Sequence, residues 1–264
     1  MDAISYELIL YGLFVGLLGG AVGGTLAGVA GIGGGLIYLP LFYLTMPGNQ
    51  QGLSLHVMAS LIGVVATSFF SARAHWRLGH LNKNAFRKLT PGLIIGAAIG
   101  LWSTLKIPEA MILFALAFID AWIAWDYGRN KTGKRTVPLT SLSAPIGYIS
   151  GVLGIGGGTM LVPLLRREVS LREAVGTSAA CGMVMAFSAV LFNLMFESVW
   201  ADMLSEQIYF LAGALVGILM IIPTTSGWSA QLHAGIPEMT MQLVLKGVFT
   251  LLSAALFVSA LVSL

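Results

Sequence analysis

Residues 28–42 read GVAGIGGGLIYLPLF, and residues 151–165 read GVLGIGGGTMLVPLL, an offset of 123 positions. Each carries a Gly-Ile-Gly-Gly-Gly run, Gly31–Gly35 and Gly154–Gly158, followed at once by a short apolar segment. Glycine runs interrupt helices, because glycine loses the most backbone freedom on ordering. Each run is therefore predicted to break a hydrophobic helix into two legs. Two further matches keep the same order. Ile107-Pro108-Glu109 corresponds to Ile236-Pro237-Glu238, and Gly96-x-x-x-Gly100 corresponds to Gly213-x-x-x-Gly217. The chain thus reads as a duplication: 1–127, a polar, basic linker over 128–137 (GRNKTGKRTV), and 138–264.

Composition says where such a chain lives. Of 264 residues 57% are hydrophobic and 9% charged, against about 25% charged in ordinary soluble domains. A soluble globule, a disordered chain and a nucleic-acid binder are excluded on that ground. The 33 glycines suit a polytopic helical membrane protein, whose helices approach closely over small residues. Residues 1–5 carry Asp2 in place of a basic leader, so Met1 is expected to be the mature start. One cysteine, Cys181, rules out an intrachain disulfide.

A span needs about 20 apolar residues. Six segments can cross alone: 53–73, 90–105, 108–127, 173–196, 206–226 and 239–262. Segments 36–46, 139–153 and 159–165 are too short, and each abuts a glycine run. Segment 6–29 is long for half a membrane, with Gly19-Gly20 and Gly23-Gly24 expected to bend it. If each run is the tip of a re-entrant hairpin, 12 of the 14 basic residues fall on one side, with Lys106 opposite and Lys246 inside the last span. The positive-inside rule favours that arrangement. A hairpin plus three crossings is an odd number, so the fold class is an all-α membrane protein of two inverted repeats. Both termini are then extracytoplasmic, as is the loop 197–206. Discontinuous helices in inverted repeats characterise many secondary transporters, with binding near the midplane.

The glycine runs also carry the chemistry. A helix beginning at each run presents unpaired N–H groups and about half a positive charge. Glycines let an anion approach those groups closely. The run is no dinucleotide fingerprint, since it lacks the G-x-G-x-x-G spacing and the acidic residue about 20 positions on.

The pattern G-x-x-G-I-G-G-G-x-x-x-x-P-L at 28–41 and 151–164 resembles the sulfite exporter TauE/SafE family. Arg172-Glu173-Ala174-Val175-Gly176-Thr177-Ser178 and Arg77-Leu78-Gly79-His80-Leu81 are similar to it as well. In the first half Ser54–Leu61 keeps only Ser60 of the A-V-G-T-S segment. The resemblance covers nearly the whole chain. It implies a multi-pass permease of the bacterial inner membrane that exports sulfite or small organosulfonates.

The expected anion contacts are Gly33, Gly34, Gly35, Gly156, Gly157 and Gly158, with Thr159, Thr177, Ser178 and Ser60 offering hydroxyls. Asn193 is expected to hydrogen-bond between helices. Asp120, Lys246 and Arg73 are coupling or gating candidates, since intramembrane charges are functional by default. Asp120 and Lys246 also suit a structural pair. His56 reads as a solvated boundary residue, and Trp76, Trp122, Trp125 and Trp200 read as interfacial anchors. The four histidines are dispersed along the chain. No cofactor, metal site or enzyme motif is expected: H-E-x-x-H, G-x-S-x-G and a Walker sequence are all missing. The expected partners are a small sulfur-containing anion and the lipid bilayer. The Gly-x-x-x-Gly faces suggest a homodimer. A carrier of another small anion, a carboxylate or thiosulfate, working outward or inward, is the competing reading, with an intramembrane enzyme a less favoured third.

Overall fold

The computed structural model describes residues 3–30, 33–47, 52–126, 139–232 and 238–262. Gly31, Ile32, the linker 128–137, His233 and Ile236-Pro237 lie outside the described residues. Among the described residues the chain forms eleven helices and no strand. They are α1 (Ala3–Ala30), α2 (Gly35–Thr45), α3 (Leu53–Arg77), α4 (Lys83–Ser103), α5 (Glu109–Asp126), α6 (Leu139–Val152), α7 (Gly158–Leu165), α8 (Leu171–Phe196), α9 (Val199–Glu206), α10 (Ile208–Leu232) and α11 (Glu238–Val262). Four of them, within Ile4–Gly28, Leu53–Arg77, Leu171–Phe196 and Ile208–Ser229, are long and apolar enough to cross a membrane.

The second glycine run interrupts the chain as expected, between α6 and α7, and the first ends where α2 begins. Two expectations need correction. Gly19-Gly20 and Gly23-Gly24 do not bend α1 into half-membrane pieces; it is one helix of 28 residues, about 42 Å at 1.5 Å per residue. The reason is packing. Gly12, Gly16, Gly20 and Gly24 fall four apart on one face and meet Phe210, Ala214, Ile218 and Thr225 of α10. Gly213 and Gly217 return the contact against Ile9 and Leu13. The two helices therefore run parallel with their backbones nearly touching, which offsets the poor helix propensity of glycine. The second correction concerns 197–206, which contains a short helix, α9, and not only a loop. Its Trp200 is fully buried, so this ring is a packing residue and not an interfacial anchor. Trp76 and Trp125 do face outward.

The α1–α10 arrangement occurs twice. Gly92, Gly96 and Gly100 of α4 meet Ser143, Ala144 and Tyr148 of α6, and Gly147 and Gly151 meet Leu93 and Ala97. This pair is also parallel. Both Gly-x-x-x-Gly faces are thus consumed inside the chain, which removes the observation that suggested a dimer.

Exchanging the two halves, α1–α5 for α6, α7, α8, α10 and α11, maps the main helix contacts onto one another. The α1–α10 contact becomes α6–α4, α2–α3 becomes α7–α8, and α4–α8 becomes α10–α3. The α3–α8 and α5–α11 contacts map onto themselves. Both of these self-paired contacts are antiparallel. On α3–α8, Ser68 lies near Gly182 and His75 near Gly176. On α5–α11, Phe114 lies 5.6 Å from Phe257 between ring centroids, and Ser253 donates to the Ala117 carbonyl at 2.9 Å. α9 has no counterpart in the first half.

One end of the bundle gathers the exposed cations Arg77, Lys83, Arg87, Lys88, Arg167 and Arg172. A cavity of about 410 Å³ there is lined by Asn82, Asn84, Ala85 and Lys88 of the α4 start, Thr140 of the α6 start, and Glu168 and Val169 after α7. The start of α6 and the residues after α7 therefore line one cavity.

Candidate functional site

The two glycine runs, 123 residues apart in sequence, meet in the interior. A Cβ added to Gly33 would lie 3.6 Å from the Gly156 Cα, and one added to Gly156 would lie 3.3 Å from the Gly33 Cα. One added to Gly35 would lie 2.8 Å from the Ile155 Cα. Gly154 has φ +62°, a left-handed conformation that favours glycine. All seven described glycines of the tips, Gly33–Gly35, Gly154 and Gly156–Gly158, are buried. The residues before the two short helices, Gly34 for α2 and Gly157 for α7, cap no N–H with a side chain. Two helix N-termini thus converge on a buried point, each with N–H groups that the helix itself leaves unpaired.

The hydroxyls expected at the site divide into structural and open groups. Ser60 donates to the Gly154 carbonyl at 2.8 Å and lies 3.3 Å from the Gly35 carbonyl. It ties α3 to both tips and is a positioning residue rather than a free donor. Thr159 turns its hydroxyl back to the Gly156 carbonyl at 3.4 Å. Thr177 accepts from the Asn82 N–H at 2.9 Å, joining α8 to the start of α4. Ser178 is different: its hydroxyl is buried with no hydrogen-bond partner.

Ser68 was not singled out from sequence. It is 1% exposed, and its hydroxyl has no partner. A Cβ on Gly33 would come within 2.8 Å of that oxygen. The signal was present in the spacing, because Ser60, Val64 and Ser68 fall on one face of α3 at four-residue intervals. Val64 packs against Gly33, Gly35 and Gly156. Gly182 follows Ser178 at the same interval on α8 and faces Gly157.

The proposed coupling residues are not brought to the tips. Asp120 is fully buried on α5, which packs chiefly against α11, and neither carboxyl oxygen has a hydrogen-bond partner. Lys246 is exposed, so the Asp120–Lys246 pair is not made. Arg73 is exposed as well. Asn193 fulfils its expected role, donating to the Ala98 carbonyl of α4 at 3.1 Å. His56 departs from expectation. It is 2% exposed, with Nδ1 3.2 Å from the Gly52 carbonyl, because Tyr43 of α2 covers it.

At the basic end, two of the dispersed histidines meet. His75 Nε2 lies 3.3 Å from the Gly28 carbonyl, and its Nδ1 lies 3.2 Å from His80 Nδ1. With Nε2 donating to the carbonyl, His75 Nδ1 is the acceptor and His80 Nδ1–H the donor. Burial and then the Arg172 guanidinium lower the His80 pKa below its ordinary value, and Glu173 opposes them. The contact requires a proton on His80 Nδ1, which the neutral δ tautomer and the cation both carry. The contact pins the end of α1 just before the first tip.

Comparison with known proteins identifies the family. The sulfite exporter TauE/SafE family model matches residues 13–258. A "Probable membrane transporter protein" of Haemophilus influenzae is 32% identical over 242 residues, covering 86% of this chain and 90% of the relative. "Probable membrane transporter protein YjnA" of Bacillus subtilis is 26% identical, covering 82% and 89%. A shorter match, 31% identical over 40% of this chain and 44% of the relative, is to "Probable inner membrane transporter protein TsaS" of Comamonas testosteroni. No solved structure matches significantly. The chain is a multi-pass membrane transporter and belongs to the sulfite exporter TauE/SafE family.

Proposed function

We propose that the protein is a secondary transporter of the bacterial inner membrane that exports sulfite or a small organosulfonate. The anion is held at the midplane between the two glycine tips of inverted repeats. The observation that carries the reading is the meeting of Gly33 with Gly156, which aims two uncapped helix N-termini at one buried point. Glycine backbone and unpartnered hydroxyls there suit an oxyanion with several acceptor oxygens.

The inverted arrangement draws support from the packing. An operation that exchanges the halves must reverse helix direction, because it maps the antiparallel pairs α3–α8 and α5–α11 onto themselves. The return of α6–α7 to one cavity supports a re-entrant hairpin. The arrangement has a direct consequence for accessibility. Arg167→Cys in a Cys181→Ser background is expected to react with a membrane-permeant thiol reagent in whole cells, and to resist an impermeant one. Reaction with the impermeant reagent would place that loop outside and end the inverted-repeat reading.

Export is energetically sensible. An inside-negative potential drives an anion outward by about 2.3 kcal/mol per charge per 100 mV. A proton could also be coupled. An unpaired carboxylate charge is costly in an apolar interior, and Asp120 is buried without a partner, which suits a group that carries a proton. Purified protein in liposomes is expected to pass labelled sulfite and ethanesulfonate down their gradients. Asp120→Asn vesicles should keep that passage but lose its response to a pH gradient. An unchanged response would reduce Asp120 to a packing residue. Flux of neither anion would overturn the proposed substrate class.

A further inference from the structure

We infer that the anion sits in front of Gly182, between the Ser68 hydroxyl and the Gly157 N–H, and that this seat takes a singly charged oxyanion in preference to a doubly charged one. The inference rests on the reading of the tips as an anion site and names the place and the charge state.

The place follows from what surrounds each glycine. Added Cβ atoms at Gly34, Gly35 and Gly156 would meet neighbours at 2.9 Å or less, and one at Gly33 would meet the Ser68 hydroxyl oxygen at 2.8 Å, so no group fits directly against those Cα atoms. At Gly182 an added Cβ would meet only two atoms within 4 Å, Gly157 N and Ser68 Oγ, each at 3.5 Å. A backbone donor at the start of α7 and a side-chain donor on α3 thus face the same small space. The Ser68 hydroxyl is 1% exposed and unpartnered. A buried polar group left without a partner is costly, and a bound oxyanion would offset that cost. Ser178, one turn before Gly182 on α8, is also buried with an unpartnered hydroxyl.

The charge state follows from the donors. Among the described side chains, every lysine and arginine is exposed or half-buried. The ionisable groups on the packed elements point elsewhere or carry no positive charge. Tyr38 of α2 lies over Gly34, His75 of α3 bonds the Gly28 carbonyl, and His56 lies against Tyr43. An anion at the seat would be held by neutral dipoles alone. The cost of removing an ion from water rises with the square of its charge, while its attraction to fixed dipoles rises only in proportion. Doubling the charge quadruples the cost for twice the return. Bisulfite and alkylsulfonates fit this balance; the sulfite dianion and sulfate do not.

Calorimetric titration of the purified protein with methanesulfonate, sulfite and sulfate at pH 6 and pH 8 tests both parts. Sulfite changes from mostly bisulfite to mostly dianion across that range. Methanesulfonate keeps one charge and so reports any titration of the protein itself. The sulfite affinity relative to methanesulfonate should fall about tenfold from pH 6 to pH 8, with sulfate weakest throughout. A constant or rising ratio would overturn the charge selection and leave the anion site standing. Gly182→Ala adds a methyl that meets only ordinary contacts, so the variant should fold normally and lose at least about tenfold in methanesulfonate affinity. Ser68→Ala removes an unpartnered hydroxyl, so thermal stability should hold while affinity falls. Wild-type affinity in both variants would move the seat away from Gly182. Binding of none of the three anions to the wild-type protein would overturn this inference together with the reading of the tips.

Discussion

Gly16→Ala and Gly96→Ala are expected to lower the thermal midpoint of the protein sharply and to leave little of it monodisperse after extraction. In an exposed helix interior the same change gains about 1 kcal/mol, because alanine is the better helix former. Here the sign reverses. The added Cβ of Gly16 would overlap the Ala214 carbonyl of α10, and that of Gly96 would overlap the Ala144 carbonyl of α6. Neither obstacle is the end of a flexible side chain. Both are helix backbone, so one helix must move away from the other along its length. Ordinary overpacking costs about 1–3 kcal/mol; displacing a whole parallel pair should exceed that. Gly227 of α10 supplies the control, since an added Cβ there meets nothing within 4 Å. Gly227→Ala should keep or raise the midpoint in fluorescence-detected size exclusion after heating. Equal behaviour of all three variants would mean that the parallel pairs are not packed as described.

Gly35→Ala and Gly156→Ala should abolish transport in reconstituted vesicles, with at least a tenfold loss for each. The obstacle now comes from the other half of the chain, backbone for Gly35 and chiefly the Val64 side chain for Gly156. A Cβ on Gly35 would crowd the Ile155 Cα at 2.8 Å, and one on Gly156 would crowd Val64 at 2.9 Å and the Gly33 Cα at 3.3 Å. Ser60 holds the same junction from α3 through the Gly154 carbonyl. Separating the tips disperses the N–H groups that are to act together. The loss should therefore appear in flux even where the variants insert and purify. Wild-type flux in both variants would assign the tips to packing alone.

The sequence pattern made the two broken segments legible because the same glycine run occurs twice in the same order. The residues predicted at 139–153 and 159–165 form α6 and α7 at Leu139–Val152 and Gly158–Leu165. Other features were hidden for physical reasons. Glycines in α1 look like helix breakers when read singly, but their four-residue spacing serves contact with α10, a partner about 200 residues away in sequence. Hydrophobicity alone could not tell Trp200 as a core residue from Trp200 as an interfacial one, since both settings favour a large ring. Serines are the least legible. Ser60, Ser68 and Ser178 are alike in sequence, yet one is spent on a carbonyl and two are left without partners. Only the tertiary structure separates them. Asp120 and Lys246 share a plausible depth, but the described helices leave Lys246 exposed and Asp120 alone.

The central claim is that backbone N–H groups at the two tips bind the anion together. Its most direct measurement is the amide spectrum of ¹⁵N-glycine-labelled protein during titration with methanesulfonate, with single Gly→Ala variants assigning the signals. Saturable shifts are expected at Gly157 and Gly158 of the second tip and at Gly34 of the first, all with one common dissociation constant; the Gly35 N–H is already given to the Gly33 carbonyl. Saturable shifts confined to other glycines, with these three unmoved, would mean that the tips do not bind the anion.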